Sequence, residues 1–389
     1  MKPFSTYLPT KIVFGPGSVS GIADAAAPFG KKAMIVTTGK DLEKLGLTGR
    51  ITGPLEAAGI EALVYDEISP NPKTHEIDRG VGVFIENKCT AAIGLGGGSA
   101  MDAAKAIALV AKNGGTICDF IAGGERRYEA IKESFPCICI STTSGTGSEA
   151  TQYAVINNPE THEKSSPDYP CLFPAVSIVD PELTLDLPKG ITAQTGVDAF
   201  YHAMEAYLST VATPYSDIIA IDCMQRVAKN LETVMENPHD LEARSQMAWA
   251  NTLGGIAIAL TATVGIHAIG NSISGLTDIA HGRALASVGV AFLDYTWDAD
   301  IRRYSNVARI LGAKEGLADE EAAAQCGSLM RGFLGKAGVG ATLTDIGVTE
   351  GQIEHITDVT FTGMLYGIQV SLKELDKRDV MQIMRNALA

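Results

Sequence analysis

Short apolar runs, each closed by glycine, proline or a polar turn, alternate in the first half of the chain with segments whose apolar residues recur at helical spacing. Ile12 to Phe14 reads as a strand ended by Gly15-Pro16-Gly17, and Ala33 to Thr37 as a second strand followed by polar residues. Leu63 to Tyr65 is a third, closed by Ser69-Pro70-Asn71-Pro72. Residues 76–86 have helical spacing, Thr90 to Leu95 is a fourth strand, 100–112 a helix and Pro136 to Ser141 a fifth strand. Alternation at this interval predicts a parallel sheet with helices on both faces. Pro54 interrupts a helical pattern over 48–58, which predicts a bent or short helix. From about Leu187 the strand signals nearly vanish and Ala- and Leu-rich helical periodicity runs to the end. The break falls in Asp180–Pro188, where two prolines interrupt the chain, so the reading is an α/β domain over 1–185 and an all-α domain over 186–389. The most apolar stretch, residues 253–266, is too short to span a membrane and is read as a buried helix running into His267.

A length of 389 residues agrees with two domains, and a hydrophobic fraction of 46% supplies enough material for large cores. The net charge of −14, with no basic run of five or more, makes nucleic acid and anionic membranes poor partners. Seven cysteines, with no CxxC pair and no secreted-scaffold spacing, read as reduced thiols of a cytoplasmic protein. The amino terminus lacks a continuous apolar core of the signal-peptide kind.

Candidate chemistry concentrates in two places. Asp198 and His202 in GVDAFYHAMEAYL are four apart, so on a helix both leave the same face. His267 and His281 follow in GIHAIGNSISGLTDIAHGRA, with a segment between them long enough to turn back. One carboxylate and three imidazoles suit a divalent first-row metal with positions open for a substrate oxygen. Each residue alone also has an ordinary reading, Asp198 as an acid near a helix start and each histidine as a hydrogen-bonded core residue.

The second place is a pair of glycine-rich loops that follow strands. The loop through Gly96, Gly97, Gly98 and Ser99 opens a helix, where close backbone approach and free N–H groups favour an anion such as a pyrophosphate. The competing reading is a plain strand-to-helix turn with Ser99 as N-cap and Asp102 in the first turn. The other loop, Thr142 to Glu149, also leaves a strand, which puts both on the ligand-binding rim of an open sheet.

With these landmarks the chain resembles the iron-containing (group III) alcohol dehydrogenases over nearly its whole length. The resemblance rests on IVFGPGSV, PNP at 70–72, GGGSAMDAAKA at 96–106, TTSGTGSEAT at 142–151, VDPELTLDLP, GVDAFYHAMEAYLS and the paired His267 and His281. It implies the architecture shared with dehydroquinate synthase, a nucleotide-binding α/β domain followed by a helical metal-binding domain. It puts the metal on Asp198, His202, His267 and His281, and the pyrophosphate near Gly97, Gly98 and Ser99. Further cofactor contacts fall on Asn71, Thr142, Thr143, Ser148 and Lys164, and Thr38 and Gly39 stand beside the adenosine ribose. The catalytic set read this way is Asp102, Asn271 and His281, with Tyr153, Ile258 and Asn271 lining the substrate pocket. The activity implied is hydride transfer between NAD(H) or NADP(H) and a small primary alcohol or its aldehyde. Iron(II) is the first choice of metal and zinc is possible, and the protein is expected to be a homo-oligomer, a dimer or a multiple of dimers.

The chain departs from the family pattern at three points. Asn271 stands where members usually carry a second histidine, and asparagine cannot shuttle a proton near neutral pH. Thr37-Thr38-Gly39-Lys40 replaces an aspartate after the first cofactor-domain strand, which removes a repulsion against NADP. GMLYGIQVS at 363–371 replaces an Asn-Pro-Arg segment. Three alternatives remain. Phosphate-substrate relatives, dehydroquinate synthase or glycerol-1-phosphate dehydrogenase, would place basic residues around the metal motif. Maleylacetate reductase would not need all four ligands. A catalytically silent metal- or nucleotide-binding homologue is the third.

Overall fold

The computed structural model describes residues 3–388. Tyr7–Leu187 form one compact unit, and the chain from Pro188 onward belongs to a second.

In the first unit six strands form one parallel sheet. They are β1 (Lys11–Phe14), β2 (Lys32–Val36), β3 (Glu61–Tyr65), β4 (Ala91–Gly96), β5 (Cys137–Ser141) and, after a hairpin, β8 (Val176–Val179). The order is β1-β8-β5-β4-β2-β3. The hairpin β6 (Ile156–Asn158) and β7 (Glu163–Ser165) pairs antiparallel on its own. Alternate residues of a strand serve opposite faces: Met34 and Val36 pack with Ile77, Phe84 and Met101, while Ala33 and Ile35 pack with Ile22, Ile51 and Leu55. Helices therefore cover both faces, and β4 is buried throughout.

Three strands were not expected from the sequence. β8 is only four residues and lies between prolines 174 and 181, yet it joins β1 to β5 and so carries the first strand into the sheet. β6 and β7 have three residues each, below the length at which periodicity can be seen. The helix over Gly49–Ala57 contains Pro54 and is short, as its sequence predicts.

The register of the sheet positions the loops. Gly96 on β4 pairs with Ser141 on β5, so the two glycine-rich loops leave adjacent strands side by side. From β2 the chain steps outward to β3 and then returns to β4 on the other side of β2, so strand order reverses between β2 and β4, the kind of switch point where open α/β sheets bind ligands.

The second unit is helical. The apolar stretch 253–266 is not one helix: Leu241–Leu260 ends, residues 261–264 break the chain, and Gly265–Thr277 resumes at 103°. Among the described residues no single helix is long and apolar enough to cross a membrane. The break aims His267 back toward the helix Lys189–Tyr207, which carries Asp198.

Close helix packing in this unit relies on Gly289. A Cβ there would lie 2.6 Å from Tyr201 Cζ and nearer still to its hydroxyl. Alanine in place of glycine favours a helix by about 1 kcal/mol, whereas overpacking a core costs about 1–3 kcal/mol. Because Tyr201 is fully buried and cannot swing away, the steric cost wins. Gly289→Ala is expected to lower the melting temperature by a few degrees, and an unchanged or raised value would contradict this packing.

Candidate metal centre and nucleotide loops

Three helices of the second unit supply the metal-type residues. Asp198, His202 and Glu205 lie at i, i+4 and i+7 on the helix Lys189–Tyr207 and share one face. His267 stands in the first turn of Gly265–Thr277, and His281 opens the helix His281–Thr296. Asp198 Oδ1 is 3.5 Å from His267 Nε2, 3.7 Å from His281 Nε2 and 3.8 Å from His202 Nδ1. Two ligands of a tetrahedral ion, each at about 2.1 Å, sit about 3.4 Å apart, so these spacings fit an ion among them. The ligating atoms of Asp198, His267 and His281 all lie within 4.8 Å of one another. His202 stands beside that set, its ring stacked on His267 with centroids 4.5 Å apart.

The donor atoms fit a cation for a second reason. Asp198 Oδ1 and His267 Nε2 are buried and have no hydrogen-bond partner. Buried polar atoms are nearly always satisfied, so a pair of unsatisfied ones facing each other marks a place for an ion. Burial alone would raise the Asp198 carboxyl, but the imidazoles of His202, His281 and His267 hold it well below the usual carboxylate range. Burial would likewise lower His267, but Glu205 and Asp198 push it up to about 9. The negative field that raises the imidazole is the field a dication would meet.

Glu205 is the residue that sequence reasoning missed. It is wholly buried, and its Oε1 lies 2.5 Å from His267 Nδ1. Its Oε2 accepts the N–H of Val264 at 2.7 Å and of His267 at 3.2 Å. Its spacing of seven from Asp198 was the available signal. Asn271 is one turn beyond His267 on the same helix and half-buried. Ile258 is buried near the end of the preceding helix. The divergent segment 363–371 backs the His267 helix, with Ser371 Oγ accepting the N–H of Gly265 and Gly367 close to Ala268.

In the first unit the nucleotide-type residues also converge. A Cβ at Gly98 would lie 2.7 Å from Thr146 Cγ2, and one at Gly97 3.1 Å from Thr143 Oγ1. The two loops therefore pack directly on each other, and the helix Gly98–Asn113 points its first-turn N–H groups at their junction. Gly97, not Ser99, is the N-cap, because the helix begins two residues earlier than its sequence suggests. Ser99 Oγ instead accepts the N–H of Asn71 at 3.2 Å, and Lys164 Nζ donates to Asn71 Oδ1 at 3.1 Å. Thr142 donates its N–H to Gly96 O at 2.9 Å, which ties the two loops at their base. Thr38 and Gly39 lie past the end of β2, where Thr38 bridges to Glu67.

Asp102 and Ser148 belong to a buried network. Ser148 Oγ donates to Asp102 Oδ1 at 2.5 Å and Val155 donates its N–H to Oδ2 at 3.0 Å. Burial raises the Asp102 carboxyl, and Lys105 and Ser148 draw it partly back. Lys105, also missed in the sequence, is wholly buried and donates to Ser148 O, Ser148 Oγ, Thr151 O and Tyr153 O at 2.5–3.0 Å. One ammonium thus fixes the backbone from Ser148 to Tyr153.

The iron-containing alcohol dehydrogenase family matches residues 9–181, and the Fe-containing alcohol dehydrogenase C-terminal family matches 192–388. The chain is 33% identical to long-chain-alcohol dehydrogenase 1 of Geobacillus thermodenitrificans, covering 89% of each. It is 32% identical to the NAD-dependent methanol dehydrogenase of Bacillus methanolicus, over 98% of this chain and 99% of that one. A solved archaeal halo-thermophilic alcohol dehydrogenase from a Red Sea brine pool superposes with a TM-score of 0.96 at 35% identity, covering 100% of both.

Replacing the buried ammonium leaves several carbonyls without their donor. Breaking a buried charged network by removing one partner costs about 3–5 kcal/mol, so Lys105→Met is expected to lower thermal stability and weaken nucleotide binding together. Calorimetric titration with NAD+ checks it, and wild-type affinity in the variant would show that the loop holds its shape without the lysine.

Proposed function

The chain belongs to the iron-containing alcohol dehydrogenases, and on that premise we propose that it interconverts a small primary alcohol and its aldehyde using NAD(H), with NADP(H) tolerated, and a divalent metal, iron(II) in the first instance. The observation that carries this reading is the convergence of Asp198, His267 and His281, in which Asp198 Oδ1 and His267 Nε2 are buried without a hydrogen-bond partner. A metal held by these residues and His202 supplies Lewis acidity toward a substrate oxygen. The nicotinamide supplies or takes up the hydride.

The chain's own residues do the rest. Asp198 contributes one negative charge and the imidazoles none, so the ion keeps net positive charge for the substrate. Gly97 and Gly98 admit a pyrophosphate close to the backbone, and Lys164, nine-tenths buried and paired with Asn71, adds positive charge. Asp102 acts by positioning Ser148 and the loop around it rather than by touching substrate. Asn271 can orient a group by hydrogen bonding but carries no titrating proton. The protein is taken to be cytoplasmic, consistent with seven cysteines that are all free thiols, and to form a homo-oligomer.

A phosphate-bearing substrate is the less favoured reading. Arg226 is held by Asp222 and Gln246, and Arg244 donates to Pro238 O and Thr192, so neither is presented to the metal residues.

His267→Ala is expected to abolish both metal retention and alcohol oxidation while NAD+ binding persists, since loss of ligand support alone costs about 10–100-fold in metal affinity. Metal content equal to wild type after reconstitution with iron(II) or zinc would overturn the assignment, and inactive wild-type protein with bound metal would favour a silent homologue.

Cofactor choice turns on Thr38. Asp41, the nearest candidate to replace the missing aspartate, is exposed and paired with Lys44 at 2.8 Å. Glu67, bridged to Thr38, has Arg79 3.4 Å from its carboxylate, which offsets its charge. Like-charge juxtaposition costs several kcal/mol at an interface, so Thr38→Asp should depress kcat/KM for NADP far more than for NAD. A wild-type NAD preference of about a thousandfold, near 4 kcal/mol, left unmoved by the substitution would show that selection lies elsewhere.

A further inference from the structure

Glu205 touches His267 in a way that bears on which of its ring nitrogens can bind metal. The carboxylate meets three groups: Nδ1 of the ring at Oε1, and the N–H groups of Val264 and His267 at Oε2. The two backbone groups are donors without alternative. A carboxylate accepts at both oxygens, so it favours a proton on Nδ1 as well, and that leaves Nε2 as the ring atom whose lone pair a metal can take. Nε2 is the atom that lies 3.5 Å from Asp198 Oδ1 and has no hydrogen-bond partner. Oε2 also caps the start of the helix Gly265–Thr277, because it takes the N–H groups of Val264, the N-cap residue, and of His267. One side chain therefore sets both where the His267 helix begins and which way its imidazole is protonated.

We propose that Glu205 is the positioning residue that fixes the proton of His267 on Nδ1 and so presents Nε2 to the metal. This rests on the reading of Asp198, His267 and His281 as a metal site. Ligating histidines commonly donate their other ring N–H to a carboxylate, which fixes tautomer and orientation.

Glutamine distinguishes this role from simple packing. Its amide has one accepting oxygen and one donating nitrogen in place of two acceptors. If the oxygen keeps the two backbone donors, the NH2 faces Nδ1, which must then accept, and the proton moves to Nε2 where the metal would bind. Turned the other way, the NH2 opposes two N–H groups and loosens the helix start that carries His267. Alanine forces neither arrangement, because water or an empty space leaves the ring free to choose. Glu205→Gln, although closer in size, should therefore bind metal more weakly than Glu205→Ala. A residue that only fills space gives the opposite order.

The test is titration of metal-free full-length protein with Zn2+ against a competing chelator, in wild type, Glu205→Gln, Glu205→Ala and His267→Ala, with melting of each metal-free protein recorded in parallel. The expected result is a loss of about tenfold or more for Glu205→Gln, a smaller loss for Glu205→Ala, and metal-free melting of Glu205→Gln close to wild type. Wild-type Zn2+ affinity in Glu205→Gln, or a larger loss in Glu205→Ala than in Glu205→Gln, overturns the proposal. If His267→Ala also binds Zn2+ like wild type, the site reading itself fails. Loss in His267→Ala with full binding in Glu205→Gln removes the role of Glu205 alone.

Discussion

The second unit is arranged around a carboxylate and an imidazole, Asp198 and His267, that are buried together with facing atoms unpaired. Leaving a buried polar atom unpaired costs about 1–3 kcal/mol, and here Asp198 Oδ1 and His267 Nε2 both stand so. A fold keeps such atoms only if something else prevents them from turning toward an easier partner. The helix Lys189–Tyr207 does this for Asp198 by setting it at a spacing of four from His202 and seven from Glu205. The break over 261–264 does it for His267, because it delivers the ring from a new direction while Glu205 occupies its far side. Chemistry and chain path are the same constraint in this region.

The first unit solves a different problem, which is to hold two glycine-rich loops in a fixed shape although glycine itself specifies little. Adjacent register of β4 and β5 brings them together, and contact of Gly97 and Gly98 with Thr143 and Thr146 leaves no room for side chains. Rigidity then comes from Lys105, whose buried ammonium gathers carbonyls from Ser148 to Tyr153, with Asp102 as the nearby compensating charge 3.9 Å away. Burying an ammonium is costly unless its donors are all used. Here they are.

Much of this is legible in the sequence alone. Short apolar runs closed by glycine, proline or polar residues mark β1 to β5, and their alternation with helical segments marks the sheet class. The four-residue spacing of Asp198 and His202 placed two side chains on one face by helix geometry alone. His267 and His281 could be paired with them only by resemblance, since nothing local says that a helix will break at 261 and return. Glu205 and Lys105 escaped because a charged residue in a helical stretch ordinarily faces water, and only tertiary structure shows these two at zero exposure. β8 escaped because four residues carry no readable period, although its pairing with β1 and β5 is what completes the sheet.

All four candidate ligands fall between residues 198 and 281, within the unit that starts at Pro188, and none belongs to Tyr7–Leu187. An ion that binds only the folded form adds stability by mass action, about 2.7 kcal/mol at a free concentration one hundred times its dissociation constant. With the proposed sites, that gain would accrue to the helical unit, and the gain from a dinucleotide at the glycine-rich loops to the other. Metal supply and nucleotide supply would then act as two separate contributions to the stability of one polypeptide. A cell short of the metal would carry chains whose helical half lacks that stabilisation.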